Sequence, residues 1–225
     1  MSTPVITVDG PSGSGKGTLS RLLAERLGWR WLDSGALYRL VALAALGRGM
    51  SLEDTDALAD LARQLDVRFE VDQQGNSVIF LDGAPVGAEL RTEQAGNAAS
   101  RVAAQQPVRD ALLERQRAFC QAPGLVADGR DMGTVVFRDA PLKLFLTASC
   151  EERARRRYKQ LKEQGLSANL HALSEELAER DRRDAERSVA PLKPADDAVV
   201  LDSTHIDIDT VLDQALRLAE ERKLT

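Results

Sequence analysis

The stretch that most constrains the fold of this chain is Pro4 to Thr18, PVITVDGPSGSGKGT. An apolar run, Val5-Ile6-Thr7-Val8, leads into Asp9. Gly10, Gly13 and Gly15 follow, then Lys16, Gly17 and Thr18, and Leu19 to Ala24 has helical spacing. The order predicts a strand, a tight loop and a helix start. Gly10-x-x-x-x-Gly15-Lys16 is the spacing of a phosphate-binding loop. Such a loop turns several backbone N–H groups toward one anion, which glycine permits because it carries no Cβ. The helix that follows adds partial positive charge at its N-terminus, and a lysine at position 16 can reach the outer phosphates. Gly10, Pro11, Ser12, Gly13, Ser14, Gly15, Lys16, Gly17 and Thr18 are therefore the candidate triphosphate-binding residues. In one respect the loop departs from its usual form. The residue after the lysine is Gly17, and the hydroxyl comes one place later at Thr18, which points away from GTPases and motor ATPases.

The rest of the composition narrows the class. The 225 residues leave room for a sizeable core, and 43% hydrophobic with 29% charged residues is ordinary for a globular chain. A net charge of −5 argues against a general nucleic-acid binder. No apolar run approaches the ~18 residues of a membrane span, and the first strand begins at once, so neither a membrane segment nor a signal peptide is expected. Cys120 and Cys150 lack CxxC spacing, consistent with a reducing cytoplasm. His171 and His205 are the only histidines, and no metal site is readable.

Along the chain, Trp29 to Leu32 reads as a second strand ending at Asp33. Ser34 can cap a helix through Leu46 that carries Tyr38 and Arg39. A helix over Ser51 to Leu65 gives way to alternation at Val67 to Val71 and Val78 to Leu81, with Gln73 to Asn76 as the turn. This is a hairpin, followed by a possible third strand from Val86 onward, and it suggests a subdomain inserted into a βαβ chain. Thr92 can cap a helix to Ala104, and another runs from Pro107 to about Ala118. The chain then returns to core strands at Leu125 to Asp128 and Pro141 to Leu146. The first of these ends in Asp128-Gly129-Arg130-Asp131; an aspartate there suits a magnesium ion or its water, and an arginine suits a phosphate. Ser149-x-x-Glu152 is a capping box opening a helix rich in arginine, and a second charged helix runs from Ser174 to Arg187. Arg180, Asp184 and Arg187 are spaced to share a face of it. Ser149 to Arg187 holds ten basic against nine acidic residues, so the pair reads as a charged lid over phosphates and not as a polyanion groove. A fifth strand, Val199 to Asp202, and an amphipathic helix, Asp207 to Glu221, complete an α/β reading.

Four motifs together resemble the bacterial cytidylate kinase family, within the nucleoside monophosphate kinases: GPSGSGKGT at 10–18, LDSGALYR at 32–39, ADGRDMGTVV at 127–136 and ERDRRDAERSVAPL at 179–192. The resemblance spans Pro4 to about Glu221. It implies a P-loop NTPase-like three-layer α/β fold: a five-stranded parallel core (about 1–38, 121–150 and 189–225), an inserted monophosphate-binding subdomain (about 39–120) and a helical lid (about 151–188). It further implies reversible transfer of the ATP γ-phosphoryl to CMP or dCMP, with Mg²⁺ held mainly by the nucleotide and water, in a cytoplasmic monomer of pyrimidine nucleotide metabolism with no nucleic-acid or membrane partner. By motif position, Arg39, Arg130 and Arg187 would hold the acceptor phosphate; Ser34, Tyr38, Arg180 and Asp184 would lie about the sugar; Ser100, Arg109 and Asp131 would read the base. Arg153, Arg156 and Arg157 would be lid arginines, with Lys16, Arg130, Arg157 and Arg187 the catalytic set.

The inventory suits that chemistry. A phosphate acceptor has a second pKa of about 6 and is largely ionised at neutral pH, so no general base is required. Positioning and charge neutralisation remain. Two other readings stay open on the residues alone: a P-loop kinase for another nucleoside monophosphate, and a nucleotide-binding module without transfer activity.

Overall fold

The structure is a computed structural model and describes residues 3–71, 77–163 and 165–224. It divides into two compact units: residues 1–33 with 116–225, and residues 34–115.

The first unit is built on a five-stranded parallel sheet. Strand β1 (Val5–Asp9) leads through the glycine loop into helix α1 (Lys16–Leu27), which Gly28 ends in the left-handed conformation, and β2 (Arg30–Asp33) follows. In the second unit lie α2 (Ser34–Gly47), α3 (Thr55–Gln64), β3 (Val67–Val71), β4 (Ser77–Leu81), β5 (Ala84–Val86), a 3₁₀ turn (Ala88–Arg91) and α4 (Glu93–Val102). Helix α5 (Gln106–Ala118) closes it. The chain then returns through β6 (Leu125–Gly129), a π-helical turn (Met132–Val136), β7 (Leu142–Thr147), α6 (Cys150–Glu163), α7 (Leu170–Glu186), β8 (Val199–Asp202) and α8 (Ile208–Glu221).

The strand order is β2-β6-β1-β7-β8, all parallel, with β1 central. Parallel strands covered by helices are buried on both sides and read as continuous apolar runs. That is why Ile6, Val8, Val126, Leu142, Leu144 and Leu146 pack with Leu19 and Leu23 of α1 and Val211, Leu212 and Ala215 of α8 in one core. Parallel pairing also puts every strand's carboxyl end at one edge. Asp9 of β1 is in register with Gly129 of β6 and with Phe145 of β7, so the glycine loop and the segment after β6 leave the sheet together. In open α/β sheets that edge is where ligands bind.

The second unit has an antiparallel sheet, β3-β4-β5, in which Val67 pairs with Leu81 and Ile79 with Val86. Buried Leu37, Leu40 and Val41 of α2, Leu58 and Leu61 of α3 and Val102 of α4 supply its apolar interior. Thr92 caps α4, its hydroxyl accepting the Ala95 N–H at 3.1 Å. Pro107 lies in the first turn of α5, where a missing N–H costs nothing. The hairpin turn expected at Gln73 to Asn76 lies outside the described residues.

Several boundaries differ from expectation. The third strand ends, and does not begin, at Val86. Helix α3 starts at Thr55 because Asp54 caps it, accepting from Ala57 N at 3.2 Å. Helix α7 starts at Leu170, where Asn169 accepts from Ala172 N at 3.1 Å. Ser34 is the first residue of α2 itself. Arg187 is the residue that ends α7, with φ −59° and ψ 138°, so it leaves the helical face shared by Arg180 and Asp184. Among the described residues no helix is long and apolar enough to cross a membrane.

Candidate active site

The glycine loop takes positive φ at Gly13 (78°) and Gly15 (95°), and α1 begins at the next residue, Lys16. The first-turn N–H groups of a helix have no partner within it, so the loop offers them to an anion. Lys16 reaches back over the loop, its Nζ donating to the Pro11 carbonyl at 3.3 Å. Gly17 has a local reason. A Cβ there would stand 3.3 Å from the Asp128 carboxylate, tighter than ordinary contact. The residue that departs from the usual loop is the one against which the aspartate of β6 packs.

Lys16 sits among charges of both signs. Burial pushes its ammonium down from 10.5 to about 7; Arg130 and Arg180 push the same way, while Asp128 and Asp33 oppose them. A buried ammonium depressed in this way gains from an anion set beside it. Arg130 is held over this region by Asp184, to which its Nε donates at 3.0 Å, and by the Gly129 carbonyl, which accepts from Nη1 at 3.2 Å. The first unit therefore brings Arg130 and Asp184 into contact, with Arg180 buried one helical turn away and Asp131 buried after Arg130. Arg187 donates through Nε to the Ala190 carbonyl at 2.7 Å.

Three of the four arginines of α6, Arg153, Arg156 and Arg157, have separate partners. Arg153 is buried, 3% exposed. It donates to the Ala148 carbonyl at 2.9 Å, to the Ser12 carbonyl of the loop at 2.9 Å and to both carboxylate oxygens of Asp181. Arg156 donates to Ser203 Oγ at 3.1 Å and to the Ser14 carbonyl at 3.3 Å. Ser203 in turn donates to that same Ser14 carbonyl at 3.1 Å. Arg153 and Arg156 thus tie the base of α6 to carbonyls of the glycine loop, holding the loop from behind. Arg157 sits differently, with Nη1 on Gln160 at 2.8 Å. Ser203 and Asp181 were not among the expected residues. Ser203 stands in no motif, and Asp181, though inside the 179–192 stretch, is marked only by its partner Arg153.

Asp9 was also missed as a functional candidate. It is 5% exposed, and its two oxygens accept the N–H groups of Met132 and Gly133, each at 2.8 Å. Burial and the neighbouring Asp131 raise its carboxyl to about 7 against those two hydrogen bonds and Arg130.

The second unit carries the remaining expected residues. Ser34, Tyr38, Ser100 and Arg109 are buried, and Arg39 is half-buried. The Arg109 guanidinium lies over the Tyr38 ring, 6.0 Å from its centroid, and donates to the Ala103 carbonyl at 3.3 Å.

The loop fits a phosphate chain: Ser14 Oγ is buried with no hydrogen-bond partner among the described residues, and the surrounding cations match a polyanion. Among the described residues no group of three or more His, Cys, Asp or Glu could hold a metal. Asp128, whose carboxylate stands beside the start of α1, is the acidic residue that would face a nucleotide-bound magnesium ion or its water. A glycine loop after the central strand of a parallel sheet, a lysine among arginines and an aspartate at the end of the adjacent strand define a P-loop kinase.

Comparison with known proteins narrows the class. The cytidylate kinase family model matches residues 6–221. Cytidylate kinases of Pseudomonas aeruginosa and Stutzerimonas stutzeri are 59% and 60% identical over 222 residues, covering 98% of this chain and 97% of theirs. That of Aeromonas hydrophila is 59% identical over 219 residues, covering 97% and 95%. A crystal structure of an uncharacterized protein from Eubacterium ventriosum shares the fold at a TM-score of 0.53 and 12% identity, covering 97% of this chain and 99% of that one. The chain belongs to the cytidylate kinase family.

Proposed function

We propose that the protein transfers the γ-phosphoryl of ATP reversibly to CMP or dCMP, giving ADP and CDP or dCDP. The observation that carries this reading is the pair of anion-seeking features on one sheet edge. The Lys16 loop suits the donor, and Arg130, tethered by Asp184 on the adjacent segment, suits an acceptor that already bears phosphate. Family membership makes that acceptor a cytidine monophosphate.

In this reading Gly10 to Thr18 bind the ATP phosphates through backbone N–H groups, and Lys16 bridges toward the transferred group. Arg39, Arg130 and Arg187 hold the acceptor phosphate. Ser34, Tyr38, Arg180 and Asp184 orient the sugar, and Ser100, Arg109 and Asp131 read the base. Mg²⁺, when bound with the nucleotide, neutralises phosphate charge. The acceptor oxygen is already ionised near neutral pH, so the chain's contribution is alignment and electrostatic stabilisation of the moving phosphoryl. Arg157 is the α6 residue assigned to the phosphoryl group, by its place in the arginine-rich lid helix. The α6–α7 pair acts as a lid, excluding water that would otherwise take the phosphoryl. We further place the protein in the cytoplasm, as a monomer.

The test is ADP release, by a coupled assay, across CMP, dCMP, UMP, AMP and GMP. CMP and dCMP are expected to give the highest kcat/KM. UMP or AMP turning over faster than CMP would overturn the assignment.

A further inference from the structure

We propose that Asp9 is a positioning residue for the acceptor side of the reaction, acting through the segment that carries Arg130 and Asp131. That segment is fastened at both ends. Its upstream end, Gly129, is in strand register with the backbone of Asp9. Its downstream end, Met132 and Gly133, is held by the Asp9 carboxylate, one N–H to each oxygen at 2.8 Å. Arg130 and Asp131 are therefore a two-residue bridge with both abutments on a single amino acid. A bridge that short has few backbone conformations, so the position of Asp9 sets where both side chains start.

The turn beyond the bridge is pinned as well. It is π-helical over Met132–Val136, an unusual and local geometry. A Cβ at Gly133 would lie 2.9 Å from Thr7 Oγ1 and 3.1 Å from Lys143 Cδ, so the turn rests directly on β1 and β7. Met132 is fully buried beneath it. Burying a carboxylate costs free energy that hydrogen bonds must offset. A carboxylate offers an acceptor oxygen to each of the two N–H groups. Asparagine has nearly the same shape but offers one acceptor, and its NH₂ would face the second N–H.

Asp9 also stands immediately before Gly10. The residue that ends the strand feeding the donor loop is thus the one that fastens the acceptor segment, which ties the two halves of the site to one point of the central strand.

The inference rests on Arg130 and Asp131 serving the acceptor, and the experiment separates the two claims. Steady-state kinetics with CMP and calorimetric ADP binding are measured for wild type, Asp9→Asn, Arg130→Ala and the double variant. Asp9→Asn is expected to raise KM for CMP at least tenfold while ADP affinity stays within threefold of wild type. In the Arg130→Ala background the further effect of Asp9→Asn should fall below threefold, because the residue it positions is gone. Equal loss for both nucleotides, an unchanged KM for CMP, or full additivity in the double variant would overturn the inference. Arg130→Ala leaving the CMP dependence untouched would instead overturn the acceptor reading. Should Asp9→Asn not fold, Gly133→Ala decides, since it pushes the same turn off Thr7 from the opposite side. A selective rise in KM for CMP supports the proposal, and an unchanged KM refutes it.

Discussion

Lys16 should take up a proton when nucleotide binds. Burial, Arg130 and Arg180 hold its ammonium down at about 7, and a polyphosphate beside it reverses the sign of its surroundings. The bound-state pKa then returns toward the ordinary value of 10.5. The sign follows directly: affinity is fully expressed below pH 7 and declines above it, because a proton must be found first. At pH 8 about nine-tenths of Lys16 is neutral before binding, so uptake should be about 0.9 proton per nucleotide, against about 0.1 at pH 6. The corresponding loss of affinity is about tenfold per pH unit above 7, or about 1.4 kcal/mol. Titration calorimetry with a non-hydrolysable ATP analogue and Mg²⁺, in buffers of different ionisation enthalpy, reads the uptake as a slope. At pH 8 the phosphates are already ionised and do not contribute. Lys16→Arg keeps its charge and should show no uptake. A wild-type slope near zero at pH 8, or one unchanged in Lys16→Arg, would refute the reasoning.

Three further outcomes follow from the same geometry. Asp181→Asn leaves the buried Arg153 guanidinium without its carboxylate and should destabilise the fold by about 3 kcal/mol, read as a lower urea midpoint with an unchanged m-value. Arg130→Ala removes a charge-assisted phosphate contact of about 2 kcal/mol, so KM for CMP should rise about thirtyfold while KM for ATP changes little. The buried Lys143 ammonium holds the Asp197 carboxyl below its ordinary 3.8; this stabilisation is present above pH 4 and fades as pH falls through the lowered value. Lys143→Met should therefore reduce the loss of stability on acidification, measured by thermal unfolding between pH 3 and 6.

What the sequence made legible was local. The glycine loop, the apolar runs of β1, β6 and β7 and the Gly28 helix stop each carry their cause within a few residues. The strand order β2-β6-β1-β7-β8 was not legible, because it depends on which strands pair across the sheet. Boundaries set by single capping side chains were harder: Asn169 begins α7 four residues before the apolar spacing became convincing, and Pro85 disguised β5 because proline is rare inside strands. The π-helical turn has no periodic signature, and its cap, Asp9, is 123 residues distant in the chain. Arg153 and Arg157 look alike in a basic tract. Only the packed fold shows one tied to the Ser12 carbonyl and Asp181 and the other donating to Gln160. The sequence pattern thus offered the arginines as candidates, while which of them tie α6 to the glycine loop is a tertiary property.

If the loop-bound phosphoryl passes to a phosphate acceptor, a single-turnover reaction with [γ-³²P]ATP, enzyme in excess, will show where it goes. With CMP present the label should move into CDP, with almost none as inorganic phosphate, and without CMP it should remain in ATP. Label released as inorganic phosphate at the same rate with and without CMP, or no transfer at all by folded protein, would contradict the account.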